Sequence, residues 1–422
     1  MVQQHDLDIQ NHVKRNGIHT LMCCIFIFLV LLLISSATSN NISQLVNSHV
    51  RFLVQTEAIQ VMVGVVFILL ILTRTIQIHI TQLRFVLWMS IPIWMMLLTM
   101  IAFNQSTTES SPMAMIQASV HIFLLYMLLC TFYLASVKFN VNAVVKIILG
   151  FGMIEALLGM FQHFGRITIF NTENLNAIFF LNGLSSSDST YLQMGASVRA
   201  FGTFDSGLTL GTFLIFILAL LIDYAHTHSR LKYVFIFVVI VAIYSTQTRN
   251  VYIGLILFIL TLLLQKSTYF RYISRGAYLI ILCVSALLPW LSGLLGWLMQ
   301  FATNLNIPTF GARFNFIDQA LAQVPDVWHF LFGSNITSRS GIPIDNSFLS
   351  LMLQYGLISA AISLLVQISV FGKSIIPRNF RRGGIASFLF IAPIISASNN
   401  IVNEILVFMV IIVFLQSDSA QD

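Results

Sequence analysis

Charge is scarce in this chain. Asp, Glu, Lys and Arg together make up 9% of 422 residues, while 57% are hydrophobic and the mean hydropathy is +0.88. Such a composition excludes a soluble globular domain and leaves no stretch in which one would fit. Cysteine is equally sparse. Cys23, Cys24, Cys130 and Cys283 all fall inside apolar runs, with neither the spacing of a metal knuckle nor that of a secreted disulfide framework. Several motifs are missing too. No G-x-x-x-x-G-K-[ST] loop offers ATP a seat, and no H-E-x-x-H or other clustered ligand set offers a metal one. The D-x-D spacing at Asp6 and Asp8 lies in a tail too short to form a nucleotide domain. There is no internal repeat and no low-complexity linker.

What is present is a succession of apolar runs separated by short clusters of Ser, Asn, Gln and charge, the pattern of an all-α polytopic membrane bundle. The runs predict about twelve spans, near 21–36, 58–73, 84–103, 114–137, 143–162, 204–223, 232–247, 250–265, 277–299, 346–371, 384–398 and 400–416. Residues 1–20 and 417–422 read as cytosolic tails, and 21–416 as one transmembrane domain. The first run follows Lys14 and Arg15, so a signal peptide is the alternative to the retained helix expected here.

The basic residues orient the bundle. With both termini cytosolic, the inner loops take every lysine and most arginines, and the outer side keeps Arg51, Arg166, Arg199, Arg249, Arg313 and Arg339. This obeys the positive-inside rule and supports an even span count. The net charge of +6 and pI near 9.2 therefore report membrane topology, and no nucleic-acid partner is expected. Long loops at 163–203 and 300–345 then lie outside, so the chemistry is expected on the outer face.

Candidate site residues cluster there. In "STQTRNVYIG" Arg249 sits between apolar arms of about 14 residues, roughly 21 Å of helix against about 30 Å of hydrocarbon, which draws the turn inward. An arginine so placed is either a snorkelling interfacial side chain or an anion site. "SVRAFGTFDSGLTLGTF" places Arg199 before Gly202, Asp205, Gly207 and Gly211; a glycine-rich helix start with free N–H groups suits a phosphate, and tight helix packing is the other use of such glycines. The second loop carries Arg313, Asp318 and His329, with Asp345 and Asn346 at the entrance of the next span. His329 is a surface residue or a base, and Asp345 a helix cap or a catalytic carboxylate. Glu155 and Glu404 lie inside apolar runs, with arginine expected as their partner.

In this order "RAFGTF", "TQTRNVYIGL", "GARFNFIDQAL", "HFLFGSN" and "DNSFLSLMLQYGL" resemble the O-antigen ligase and polysaccharide polymerase superfamily, over roughly residues 195 to 360. Asp205, Ser206 and Gly207 stand where the family often has a polar-Pro-Asn cluster, Phe330 replaces a usual proline and "GSN" replaces "G-x-G"; the three arginines and His329 are retained. The resemblance implies a glycosyltransferase of the bacterial plasma membrane that takes a glycan from a polyisoprenyl diphosphate without cofactor or metal. Arg199, Arg249 and Arg313 would bind the diphosphate, with His329 or Asp345 as base and Gly202, Asp205, Asn346 and Glu155 in support. Membrane lipids, a chain-length regulator and a flippase of the same pathway are the implied partners, and capsule, exopolysaccharide or O-antigen the implied products. Polymerisation of repeat units is preferred over ligation to a lipopolysaccharide core. A glycolipid transporter is the third reading, though transporters place their charges near the bilayer midplane.

Overall fold

A computed structural model describes residues 2–35, 56–78, 112–165, 193–194, 197–204, 206–224, 230–265, 267–287, 319–324, 326–333, 346–375, 383–397 and 401–416, with a few isolated positions besides. The chain is all-α. The main helices among the described residues are α1 (Val2–Ser35), α2 (Thr56–Leu72), α3 (Pro112–Leu134), α4 (Val141–Gly165), α5 (Gly207–Tyr224), α6 (Arg230–Ser245), α7 (Arg249–Leu264), α8 (Thr268–Leu287), α9 (Val327–Phe332), α10 (Ser347–Ile375), α11 (Gly383–Ala397) and α12 (Val402–Gln416). Two short antiparallel pairs accompany them: β1 (Ile76–Gln77) with β2 (Ser136–Val137), and β3 (Gln193–Met194) with β4 (Ser197–Val198). Three helical stretches among the described residues are long and apolar enough to cross a membrane, Gly17–Ile34, Val141–Gly165 and Gly207–Tyr224, and shorter apolar helices surround them.

Helices stand at most of the positions expected from the apolar runs. The expected span at 84–103 lies outside the described residues, apart from position 84. Two boundaries differ. The tail expected over 1–20 is helical from Val2 onward, continuous with the apolar part of α1. Likewise α8 starts at Thr268, ahead of the expected 277, because the charges that end an apolar run do not end a helix.

The exposed faces are apolar, which marks a membrane protein. On α7 the exposed apolar residues are Ile253, Ile256, Ile259, Leu260, Leu263 and Leu264, while Val251, Gly254, Phe258 and Thr261 face the neighbours at helical spacing. In water such a surface would aggregate; in lipid it is solvated. Because lipid is as apolar as leucine, close packing rather than water exclusion must hold the helices together. α5 is the pivot of that packing, buried without a break from Thr209 to Leu221. Glycines admit its neighbours: a Cβ at Gly152 of α4 would lie 2.5 Å from Ile217, and one at Gly211 would lie 2.5 Å from Val251 of α7.

Phenylalanines join α5 to α11 and α12. Phe408 stacks on Phe216 with centroids 5.0 Å apart and meets Phe388 edge-on at 5.6 Å. A second aromatic group unites α1, α3 and α12, where Phe414 lies 5.0 Å from Phe132 and 5.7 Å from Phe26. Each such pair contributes roughly 0.5–1.5 kcal/mol beyond its area.

One polar clamp fixes the direction of α11. The Asp223 carboxylate, near the end of α5, accepts from the Gly384 and Ile385 N–H groups at 2.7 Å each and so caps the first turn of α11. The two helices therefore run antiparallel, and the end of α11 lies beside the start of α5. Gly254 of α7 packs near Ile395 and Ile215. Asn346 donates to the Ala397 carbonyl at 2.9 Å, and Ile401 N–H donates to Ser347 Oγ at 2.9 Å. These ties bring the starts of α5, α7 and α10 to the same end of the bundle.

Candidate functional site

At that end, Arg199 follows β4 and opens a short segment leading into α5. Arg249 is the first residue of α7. The Ala200 N–H donates to the Ser245 carbonyl at 3.0 Å, at the end of α6. Gly207 lies directly beneath the α6–α7 turn, where a Cβ would stand 2.9 Å from the Thr246 carbonyl and 3.2 Å from Thr248 Oγ1. Two arginines far apart in sequence thus rise from adjoining segments. Arg199 is half-buried and Arg249 exposed.

The turn carrying Arg249 is wired internally. Gln247 takes a left-handed φ of 50°, so the chain reverses between Ser245 and Arg249 in very few residues. Thr246 Oγ1 donates to the Ile243 carbonyl at 2.8 Å, Thr248 Oγ1 to the Thr246 carbonyl at 3.0 Å, and Tyr252 Oη to the Tyr244 carbonyl at 2.6 Å. The Tyr244 and Tyr252 rings stack at 6.4 Å, and His163, near the end of α4, meets Tyr244 edge-on at 6.2 Å.

The Arg199 segment is held from below by α4. Gln162 Oε1 accepts from the Phe201 and Gly202 N–H groups at 3.0 and 2.8 Å, and its Nε2 donates to the Gly202 carbonyl at 2.9 Å. Two turns earlier on the same face of α4, the Glu155 carboxyl group accepts from Thr203 N–H at 2.9 Å and from Thr203 Oγ1 at 2.6 Å. Both α4 side chains are buried. Among the described residues the hydrogen bonds of Glu155 go to Thr203, where an arginine is the partner expected from the sequence.

This arrangement changes the role expected of the glycines. The N–H groups of residues 200 to 203 are taken by Ser245, Gln162 and Glu155, and Phe204 N–H donates to the Phe201 carbonyl at 2.9 Å. At the start of α5, Ser206 Oγ accepts from Thr209 N–H at 3.2 Å. Residues 200 to 204 therefore do not hold out their amides to a phosphate. Gly202 is required by its φ of 61° and by the Glu155 carboxylate, which would lie 2.3 Å from an added Cβ. Gly207 and Gly211 serve close approach, the packing use already raised for them.

His329 lies apart in sequence, on α9, one turn of which is capped by Asp326. Asp326 Oδ1 accepts from the His329 N–H at 2.8 Å and lies 2.8 Å from His329 Nδ1. These donors hold the Asp326 carboxyl below its ordinary value. Since an ionised carboxylate only accepts, Nδ1 is the donor of this bond, and in the neutral ring that leaves the lone pair on Nε2. Asp326 was not singled out in sequence, although an Asp three residues before a His at a helix start is a visible signal. α9 docks on α10 at Gly356, whose φ of 87° breaks that helix. Cβ atoms at Gly333 and Gly356 would lie 2.4 Å from the Gln354 carbonyl and 2.2 Å from the Leu331 carbonyl, so only glycines permit this crossing. Along α10 the docking point is about 15 Å from Asn346, at 1.5 Å per residue.

Asn346 is the N-cap of α10, accepting from Leu349 N–H at 2.8 Å, and so fills the capping role considered for Asp345. Glu404, in the first turn of α12, is buried. Asp205, Arg313 and Asp345 lie outside the described residues, as does most of both long loops. Comparison of the chain with protein-family models, characterised proteins and solved structures finds no match.

Proposed function

We propose that the protein polymerises polyisoprenyl-diphosphate-linked oligosaccharide repeat units into a surface polysaccharide at the outer face of the bacterial plasma membrane. In this reading the chain crosses the bilayer about twelve times with both termini in the cytosol. The observation that carries it is the junction of the Arg199 segment with the Arg249 turn, through Ala200 and Ser245 and through Gly207 beneath Thr246. Two guanidinium groups on adjoining backbone, one half-buried and one exposed, suit a divalent anion bridging bulk solvent and protein.

The chemistry is a displacement at the anomeric carbon. An acceptor hydroxyl oxygen forms the new bond to that carbon, and the bond from the carbon to the diphosphate oxygen breaks. Its electron pair leaves with the diphosphate, and the configuration inverts. Arg199, Arg249 and Arg313 stabilise the charge that grows on the leaving group, which is why neither a nucleoside triphosphate nor a metal need supply it. The hydroxyl proton passes to a base, His329 through Nε2 or Asp345. The tie between Asp326 and His329 supports the histidine, since it leaves Nε2 able to accept.

Lysine presents a point charge where arginine presents a planar fork. Arg249→Lys, inserted at wild-type level, is therefore expected to abolish polymer in cells. A wild-type ladder of chain lengths from that variant would remove Arg249 from the site. Purified protein incubated with a lipid-diphosphate oligosaccharide is expected to lengthen the glycan; transfer of a single glycan onto lipopolysaccharide core alone would select the ligase.

A further inference from the structure

We infer that Gln162 and Glu155 of α4 are positioning residues for Arg199, an inference that rests on the proposed reading of the arginines as a diphosphate site. Between them these two side chains make five hydrogen bonds, of 2.6 to 3.0 Å, to residues 201 to 203. All five go to the segment directly following Arg199. Two are main-chain donors converging on a single Gln162 oxygen, and the same amide returns a bond to the Gly202 carbonyl, so both halves of the amide are used. That closed pattern also assigns the amide orientation without ambiguity.

The α4 side chains point into a segment that has neither helix nor strand geometry of its own. Without α4, three consecutive N–H groups, those of Phe201, Gly202 and Thr203, would need other acceptors in a region shielded from water. The left-handed conformation of Gly202 is one of several open to a glycine, and surrounding contacts select it. α4 imposes it from one side, and the Ala200 bond to Ser245 pins the other. Arg199 is consequently fixed at the point where the segment meets the Arg249 turn. The two positions on α4 are two turns apart, so they share one face and act as a single jaw.

This assigns to the first half of the chain a part in the site, although the motifs resembling a known superfamily begin only near residue 195. It also explains why the amides of the segment are not the anion ligand. They are spent on holding the arginine still.

The test is a double-mutant cycle in full-length, detergent-solubilised protein, with farnesyl diphosphate as the probe and its Kd as the readout. Gln162→Ala is expected to weaken binding about tenfold in the wild-type background and to change nothing further in an Arg199→Ala background, the signature of coupled neighbours. Equal losses in both backgrounds would overturn the inference, since a residue that merely supports the fold weakens both alike. If Gln162→Ala does not fold, Thr203→Val, which deletes one bond to Glu155 and keeps the N–H, runs the same cycle with a smaller expected loss. A wild-type protein that fails to bind farnesyl diphosphate removes the diphosphate site and this inference together. Binding that is lost in Arg249→Ala but unaffected by Gln162→Ala and Thr203→Val removes the inference alone.

Discussion

At the scale of single residues, Asp326 is exposed and takes its principal donors from one neighbour, His329. Its carboxyl is held below the ordinary value of 3.8 by His329, first through the main-chain N–H and then through the ring. The sign follows from that lowering. The cap on α9 is fully present above the unfolded-state value and is lost as pH falls through the lower folded-state value. Amide hydrogen exchange across Val327–Phe332, expressed as protection factors, is expected to be unchanged from neutral pH down to about pH 5 and to fall only in stronger acid. Asp326→Ala is expected to lack the protection at every pH, while Asp326→Asn, which still offers an acceptor to the His329 N–H, keeps part of it without the acid transition. Protection in Asp326→Ala equal to wild type would show that the dock on α10, and not the cap, orders α9.

At the scale of elements, the crossing of α9 over α10 depends on two facing glycines that a sequence reader cannot pair. "HFLFGSN" and "LQYGL" each announce a glycine after an apolar stretch, which is equally the mark of a helix end or of a flexible joint. What selects the outcome is a contact between segments more than twenty residues apart: the Leu331 carbonyl stands where a Gly356 Cβ would be, and the Gln354 carbonyl where a Gly333 Cβ would be. Gly356→Ala is expected to cost more than about 1 kcal/mol, since it combines a φ of 87° with that overlap. The readout is the thermal midpoint in detergent together with protease cleavage near α9. Gly64→Ala, whose added methyl meets nothing within 4 Å, serves as the silent comparison. A Gly356→Ala protein as stable as that comparison, with α9 still protected, would mean that α10 straightens there at no cost.

At the scale of the whole molecule, the parts legible in the sequence are those set by local composition. An apolar run must satisfy its own main chain in lipid and so becomes a helix, which is why α4 to α7, α11 and α12 stand within a few residues of their expected places. Partner choice was not legible: Glu155 could have met any donor, and only the packing of α4 on the Arg199 segment made it Thr203. Orientation is the remaining global property, and the basic residues argue it through the positive-inside rule. α6 carries Arg230 at its first residue and ends at Ser245, about 22 Å away at 1.5 Å per residue, most of the hydrocarbon core. Both Arg230 and Arg249 are exposed, so each offers a usable labelling position at opposite ends of one hairpin arm. After replacement of the four native cysteines, of which Cys283 is exposed, Arg249→Cys is expected to react in intact cells with a membrane-impermeant maleimide. Arg230→Cys is expected to react only after permeabilisation. The reverse pattern would put the arginine pair in the cytosol, where a glycan already translocated on its lipid carrier could not reach it, and the polymerase reading would fail on geometry before any assay of activity.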